Sequence, residues 1–282
     1  MIVIRSTRRM ATLSARLRSQ GRRLGVVPTM GALHGGHSSL IRRAAVENDI
    51  VIVTIFVNPL QFGPREDFKR YPRDLPRDVR LAHSAGADIV FAPTADELYP
   101  PGFQTRIDVG LIGNRWEGRS RPGHFNGVAT VVALLFRLTN PTVAYFGQKD
   151  YQQTLIVRQL VEDLKLPVRL RMLPTVRESD GLALSSRNQY LDLLQRRRAT
   201  ILYRALCAAR VRIHQGERRG APVMRQMQQL ISSTHGVRLD YAAAVDAKTL
   251  KPLVRLNGRV ALLVGAWVGR TRLIDNLLVE VS

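Results

Sequence analysis

Val27-Pro28-Thr29-Met30-Gly31-Ala32-Leu33-His34-Gly35-Gly36-His37 joins a short apolar run to a helix through glycines and brings two histidines to the junction. Residues 24–27 read as a buried strand, and residues 38–46 carry Leu40, Ile41, Ala44 and Ala45 with helical spacing. Gly31, Gly35 and Gly36 supply the backbone freedom for a turn and for close approach of a ligand. A helix starting near Gly36 points unpaired N–H groups and the positive end of its dipole outward, which suits phosphate. His34 and His37, three apart across the helix start, fall on one side, where two imidazole donors can meet charge developing on phosphorus. The plainer alternative is that the pair caps the helix or bonds local carbonyls.

The chain around this stretch alternates strand and helix. Residues 50–57 form a nearly continuous β-branched run, as expected of a central parallel strand covered on both faces. Ligands of open α/β sheets bind beyond the carboxyl ends of strands, so Asn58-Pro59-Leu60-Gln61-Phe62-Gly63 falls beside the histidine loop. There the amide of Gln61 can hold a hydroxyl or carboxylate without a full positive charge, or simply bond its own turn. Further helix and strand pairs follow at residues 75–84 with 87–92, and at 127–138 with 143–146. The next loop, Gly147-Gln148-Lys149-Asp150, enters a helix carrying Gln153, Leu155 and Ile156, and repeats the geometry of the opening stretch. Only five lysines occur in the chain, so Lys149 suggests a point charge for phosphate, with a solvated turn residue as the alternative. A strand at 168–173 precedes Val176 and the string Leu184-Ser185-Ser186-Arg187, whose hydroxyls, backbone N–H groups and guanidinium suit a mobile clamp on a triphosphate. Ser185 or Ser186 could instead cap a helix. His124, just ahead of a helix, reads more readily as a packing or capping residue than as a base. Beyond, residues 190–214 and 222–233 read as amphipathic helices, and 239–245 and 260–268 as strands.

The 282 residues exceed the usual single-domain size. We therefore expect a Rossmann-like parallel-sheet domain over residues 1–175 and a smaller α+β lid domain over 176–282. One cysteine, Cys207, excludes an internal disulfide and offers no metal cluster. No apolar run reaches membrane-spanning length and the first residues lack the pattern of a signal peptide, so the expectation is a soluble cytoplasmic protein without a membrane partner. The net charge of +21 raises a nucleic-acid binder as an alternative. Arginine supplies 38 of the 43 basic residues, scattered along the chain, and aromatics are only 6%, so no specific nucleic-acid partner is expected.

The His34-Gly35-Gly36-His37 pattern resembles the signature of the adenylyl-transferring nucleotidyltransferase superfamily. The longer string ending there resembles pantothenate synthetases, as do Asn58 to Gly63 with Glu66-Asp67-Phe68 and Tyr71-Pro72-Arg73, Arg121-Pro122-Gly123-His124-Phe125, and residues 146–153. That family joins pantoate to β-alanine, with ATP converted to AMP and diphosphate through a pantoyl adenylate. The resemblance implies His34, His37 and Lys149 as catalytic residues. It implies ATP contacts from Met30, Gly31, Ala32, Leu33, His34, Gly35, Gly36, His37, Gly147, Gln148, Lys149, Asp150, Val176, Leu184, Ser185, Ser186 and Arg187. Gln61 and Gln153 would hold pantoate, Gln61 would also meet β-alanine, Mg2+ would accompany ATP with Asp150 as a contact, and the protein would be a homodimer. Gly35-Gly36 replaces the commoner charged residue and glycine, and Leu184 stands where methionine is frequent. A simple nucleotidyltransferase releasing a stable nucleotidyl product is the alternative enzyme.

Overall fold

The computed structural model describes residues 1–64 and 66–282. They form two compact units. The first comprises residues 1–114, 121–148 and 153–174, and the second comprises 115–120, 149–152 and 175–282. A single cut at Thr175 would put residues 115–120 and 149–152 in the first unit. They group with the second, where Gln152 donates from its amide to Arg115 O at 2.9 Å and accepts from Glu117 N–H at 3.2 Å.

The first unit holds a six-stranded sheet of β1 (Ile2–Ile4), β2 (Leu24–Thr29), β3 (Ile50–Ile55), β4 (Ile89–Phe91), β5 (Val143–Gly147) and β6 (Arg169–Leu173), in the order β1-β4-β3-β2-β5-β6 and parallel throughout. Its helices are α1 (Thr7–Ser19), α2 (Gly35–Glu47), α3 (Leu75–Ser84) and α4 (Ala95–Leu98), then, after α5 (Glu117–Ser120) of the second unit, α6 (His124–Thr139) and α7 (Tyr151–Asp163). The apolar runs of the four central strands, β4, β3, β2 and β5, are buried on both faces because alternate residues feed separate cores. Val26, Ile52 and Phe91 pack with Val128, Val132 and Phe146, whereas Val27, Val51, Val53 and Val90 pack with Leu40, Ile41 and Tyr145. Strand order reverses between β2 and β5. Crevices at such a switch point bind ligands at the carboxyl ends of the strands, and there the 30–34 and 147–148 loops leave the sheet.

The second unit carries α8 (Leu193–Ala199), α9 (Ile201–His214), α10 (Gly220–Ser232) and an antiparallel sheet of β7 (Val237–Asp246), β8 (Gly258–Val268) and β9 (Thr271–Val281). Leu202, Leu206, Val223 and Met227 of the helices pack with Leu262, Val264 and Leu273 of the sheet. Two local expectations are corrected here. The helix expected over 190–214 is a 3-10 turn (Ser186–Tyr190) followed by two helices, because Asp192 and Gln195 form a reciprocal cap that restarts the chain at Leu193. The strand β9 was not anticipated, since Arg272, Asp275 and Asn276 interrupt its apolar alternation.

Candidate active site

The histidine loop is shaped by a buried carboxylate. At the end of β2, Thr29 Oγ1 donates to Thr54 O at 2.6 Å and accepts from Gly31 N–H at 3.1 Å. Gly31 then adopts φ +82° and Ala32 φ +50°. Gly35 and Gly36, expected to supply the turn, are instead the first residues of α2, and the left-handed bend falls on Gly31 and Ala32. For a residue with a Cβ that conformation costs roughly 1–2 kcal/mol. Asp78 of α3, 1% exposed, offsets it by accepting Ala32 N–H at Oδ2 (2.8 Å) and Leu33 N–H at Oδ1 (2.7 Å). Burial pushes the Asp78 carboxyl above its ordinary value, and the two N–H groups oppose that rise. In Asp78→Asn one of those N–H groups would face an amide NH2, and hydrogen bonds to charged groups contribute about 1.5–3 kcal/mol. We expect a loss of that size in urea unfolding. Parental stability would show that the carboxylate does not hold the loop.

The bend delivers His34 as the N-cap of α2. His34 Nδ1 accepts from Gly36 N–H at 3.2 Å, and His37 Nδ1 accepts from His34 N–H at 3.3 Å. Both rings therefore act as caps, and their centroids lie 4.1 Å apart. Capping does not exclude chemistry. An Nδ1 that accepts leaves the proton of a neutral imidazole on Nε2, so each ring is fixed as an Nε2–H donor at the positive end of a helix.

Gln61 lies in a 3-10 turn (Pro59–Gln61) after β3 and is 7% exposed. Its amide is oriented without ambiguity. Asn58 Nδ2 donates to Gln61 Oε1 at 2.9 Å and to Gly127 O at 3.0 Å, while Asn58 Oδ1 accepts from Leu60 N–H and from the Tyr99 hydroxyl at 2.8 Å. Burial raises the Tyr99 phenol well above its ordinary value, so it stays a donor. The remaining Gln61 group, Nε2, points to Met30 Sδ at 3.0 Å, which sets the amide beside the histidine loop. The backbone of Gln61 is fixed as well. His124 Nδ1 donates to Gln61 O at 2.8 Å, His124 Nε2 accepts from Arg121 at 3.0 Å, and Arg121 also reaches Gln61 O and pairs with Glu66. His124 is thus a buried cross-link, in keeping with the packing reading. Gln153 lies half-buried in the first turn of α7.

In the second unit, Lys149 and Asp150 close a 3-10 turn (Gln148–Asp150), with Lys149 Nζ 3.1 Å from Asp150 Oδ1. Residues 176–184 form a small hairpin, in which Leu184 N–H donates to Val176 O and Glu178 N–H to Leu182 O. Arg196 ties its tip to Glu178 and Asp180, and that hydrogen bonding holds the Asp180 carboxyl below its ordinary value. Ser185 Oγ, at the foot of the hairpin, accepts from Arg187 N–H at 3.3 Å, so the capping reading of Ser185 is realised in the 3-10 turn that carries Ser186 and Arg187.

A family model described as pantoate-beta-alanine ligase matches residues 2–278. The chain belongs to the pantoate-beta-alanine ligase family. A pantothenate synthetase of Moorella thermoacetica is 54% identical over 268 residues, 95% of each chain. The crystal structure of pantothenate synthetase from Thermus thermophilus superposes with a TM-score of 0.93 at 48% identity, covering 98% of this chain and 99% of that one. A pantoate-beta-alanine ligase from Francisella tularensis, solved in complex with beta-gamma ATP and beta-alanine, gives a TM-score of 0.80 at 36% identity over 99% of this chain and 97% of that one. As a pantoate-beta-alanine ligase the chain is a carbon-nitrogen ligase.

Within this ligase the structure brings together His34 with His37, Met30 with Gln61, and Ser185 with the backbone of Arg187. Asp78, Asn58, Tyr99, Glu66 and Arg121 were not assigned from sequence. For Asp78 no local signal exists, since its partners lie 45 and 46 residues away. Asn58, Glu66 and Arg121 do lie in the strings that carry the family resemblance, and an acidic, a basic and an amide residue close to Gln61 were the available clue.

Proposed function

We propose that the chain condenses pantoate with β-alanine by way of a pantoyl adenylate. A pantoate carboxylate oxygen attacks the α-phosphorus of ATP and expels diphosphate. The free amine of β-alanine then attacks the acyl carbon, the C–O bond to AMP breaks, and the amine gives up a proton as pantothenate forms. The observation that carries this reading is the pair of adjacent imidazoles at the N-terminus of α2, each with Nδ1 accepting a backbone N–H, which leaves Nε2 to donate. Two adjacent donors at a positive helix end stabilise negative charge that grows on the phosphoryl oxygens during attack. Lys149 adds a point charge on the polyphosphate, and Ser185, Ser186 and Arg187 grip it. Met30, Gly31, Ala32, Leu33, Gly35, Gly36, Gly147, Gln148, Asp150, Val176 and Leu184 are assigned to the nucleotide as well. Among the described residues, apart from its chain neighbours, no atom lies within 4 Å of a Cβ built at Gly147, which is compatible with a ligand there.

Gln61 is suited to pantoate because its amide donor engages the Met30 thioether, a weak acceptor that a hydroxyl or carboxylate oxygen outcompetes. Gln153 is assigned as the second amide on pantoate. Among the described residues no group of three or more His, Cys, Asp and Glu is placed to hold a metal ion. Mg2+ brought by ATP would therefore rest mainly on phosphate oxygens, with Asp150 as a carboxylate contact, and would neutralise polyphosphate charge. No helix among the described residues is long and apolar enough to cross a membrane. The reading includes a cytoplasmic homodimer with small-molecule substrates and no specific nucleic acid.

Oxygen labelling tests the site of attack. With pantoate labelled in its carboxylate oxygens, the AMP released should carry one labelled oxygen, because the bridging oxygen stays with phosphorus when the amine displaces AMP. Label in inorganic phosphate would mean attack at the γ-phosphorus and would overturn the roles given to His34 and His37.

A further inference from the structure

β9 carries two adjacent buried polar residues, Asp275 and Asn276, in a strand otherwise packed against an apolar core. Each takes hold of a different segment. The Asp275 carboxylate accepts both ends of the Arg177 guanidinium, at 2.7 and 2.9 Å, and Arg177 further donates to Gly181 O and Asn276 O. The other side of that guanidinium is covered by Tyr203, its ring centroid 3.9 Å away. Arg177 pairs with Ala183 across the hairpin that leads into Ser185, Ser186 and Arg187. Asn276 Nδ2, in turn, donates to Lys149 O at 2.7 Å. Successive side chains of a strand leave opposite faces, which lets one strand grip two segments. Burial of a bidentate ion pair is costly unless its partners are in place, so the Asp275–Arg177 contact defines position sharply, and the 2.7 Å bond ties the Asn276 amide to the Lys149 backbone.

We propose that Asp275 and Asn276 are positioning residues for the nucleotide. Asn276 sets the backbone of Lys149, and Asp275, through Arg177, sets the hairpin that presents Ser185, Ser186 and Arg187. This rests on the reading that Lys149 and the 185–187 segment contact ATP. The 149–152 segment has other ties, from the Tyr151 hydroxyl to Ala247 O at 2.6 Å and from Gln152 to Arg115 and Glu117. Loss of the Asn276 amide therefore loosens Lys149 and leaves the segment attached. Displacement of a binding group by about an ångström can cost on the order of a hundredfold in rate.

The test is a double-mutant series in the full-length enzyme, reading the KM for ATP, the KM for pantoate and single-turnover adenylation. Asn276→Ala should raise the KM for ATP about tenfold and slow adenylation, with the KM for pantoate within about twofold of the parent. On a Lys149→Ala background the same change should have less than about a threefold effect, because it acts through Lys149. Asp275→Asn should also weaken ATP use, and that effect should persist in Lys149→Ala, because it acts through Arg177. A purely structural role would move the two KM values together and would add in full to Lys149→Ala, and either result overturns the proposal. If Asn276→Ala does not fold, the isosteric Asn276→Asp, which replaces the donor with an acceptor, is held to the same criteria. Impaired ATP use in Lys149→Ala beside parental ATP use in the Asn276 variant would sink the positioning role alone. Parental ATP use in Lys149→Ala would sink the nucleotide assignment of Lys149 and the positioning role with it.

Discussion

The His37→Ala variant is expected to form the acyl adenylate at least about a hundredfold more slowly than the parent while binding ATP within about threefold as tightly. The asymmetry follows from the role proposed for the ring. An Nε2–H donor aimed at a phosphoryl oxygen gains most when charge accumulates there, so its loss is felt in the transition state more than in the ground state. Alanine also removes the Nδ1 acceptor of His34 N–H, a capping contribution of roughly 0.5–2 kcal/mol. His37→Asn separates the two effects, since its side-chain oxygen can accept the same N–H while nothing replaces Nε2–H. Thermal stability should recover in His37→Asn and the adenylation rate should not. Near-parental single-turnover adenylation in either variant would leave His37 as a helix cap only.

A second large effect is expected at a residue that is assigned no contact with a substrate. A Cβ added at Gly127 would lie 2.2 Å from Leu60 O and 2.7 Å from Gln61 N, so α6 and the turn carrying Gln61 cannot both keep their places in Gly127→Ala. Forcing a group into a packed contact costs about 1–3 kcal/mol. Here the neighbour is backbone, which cannot rotate away. The shift falls on Gln61, whose carbonyl and amide are set by His124, Arg121 and Asn58, and Asn58 is itself bonded to Gly127 O. The KM for pantoate should rise at least about tenfold and the KM for ATP much less, as a remote misplacement of a binding group requires. A folded variant with the parental pantoate requirement would show that Gln61 does not hold pantoate.

The parallel sheet was legible because its strands are continuous apolar runs and its helices keep their periodicity, from Ile50 to Ile55 in β3 and from Val128 to Leu135 in the long helix. The histidine pair, Gln61 and Lys149 were legible because each sits just past the carboxyl end of such a strand. What escaped has a common cause in contacts over long sequence distances. Ala32 takes a left-handed φ that its residue type does not announce, and only Asp78, brought in from α3, makes it tenable. β9 looked irregular because Asp275 and Asn276 occupy buried positions, and their partners, Arg177 and Lys149, lie 98 and 127 residues earlier. The restart of the chain at α8 is a local signal that was overlooked, since Asp192 and Gln195 have capping spacing. Part of the charge of +21 is spent inside the fold, where Arg121, Arg177, Arg196 and Arg272 each pair with a carboxylate.

The central claim is that a carboxylate attacks the α-phosphorus and that the resulting adenylate stays on the protein until an amine arrives. It is tested most directly by supplying ATP, Mg2+ and pantoate without β-alanine. A mixed anhydride hydrolyses if water reaches it, so the site must remain closed over it. The expected result is a burst of diphosphate close to the enzyme concentration, exchange of labelled diphosphate back into ATP, and release of AMP and pantothenate once β-alanine is added. ADP and phosphate in place of diphosphate, or continuous diphosphate release with a free nucleotidyl product accumulating, would contradict it.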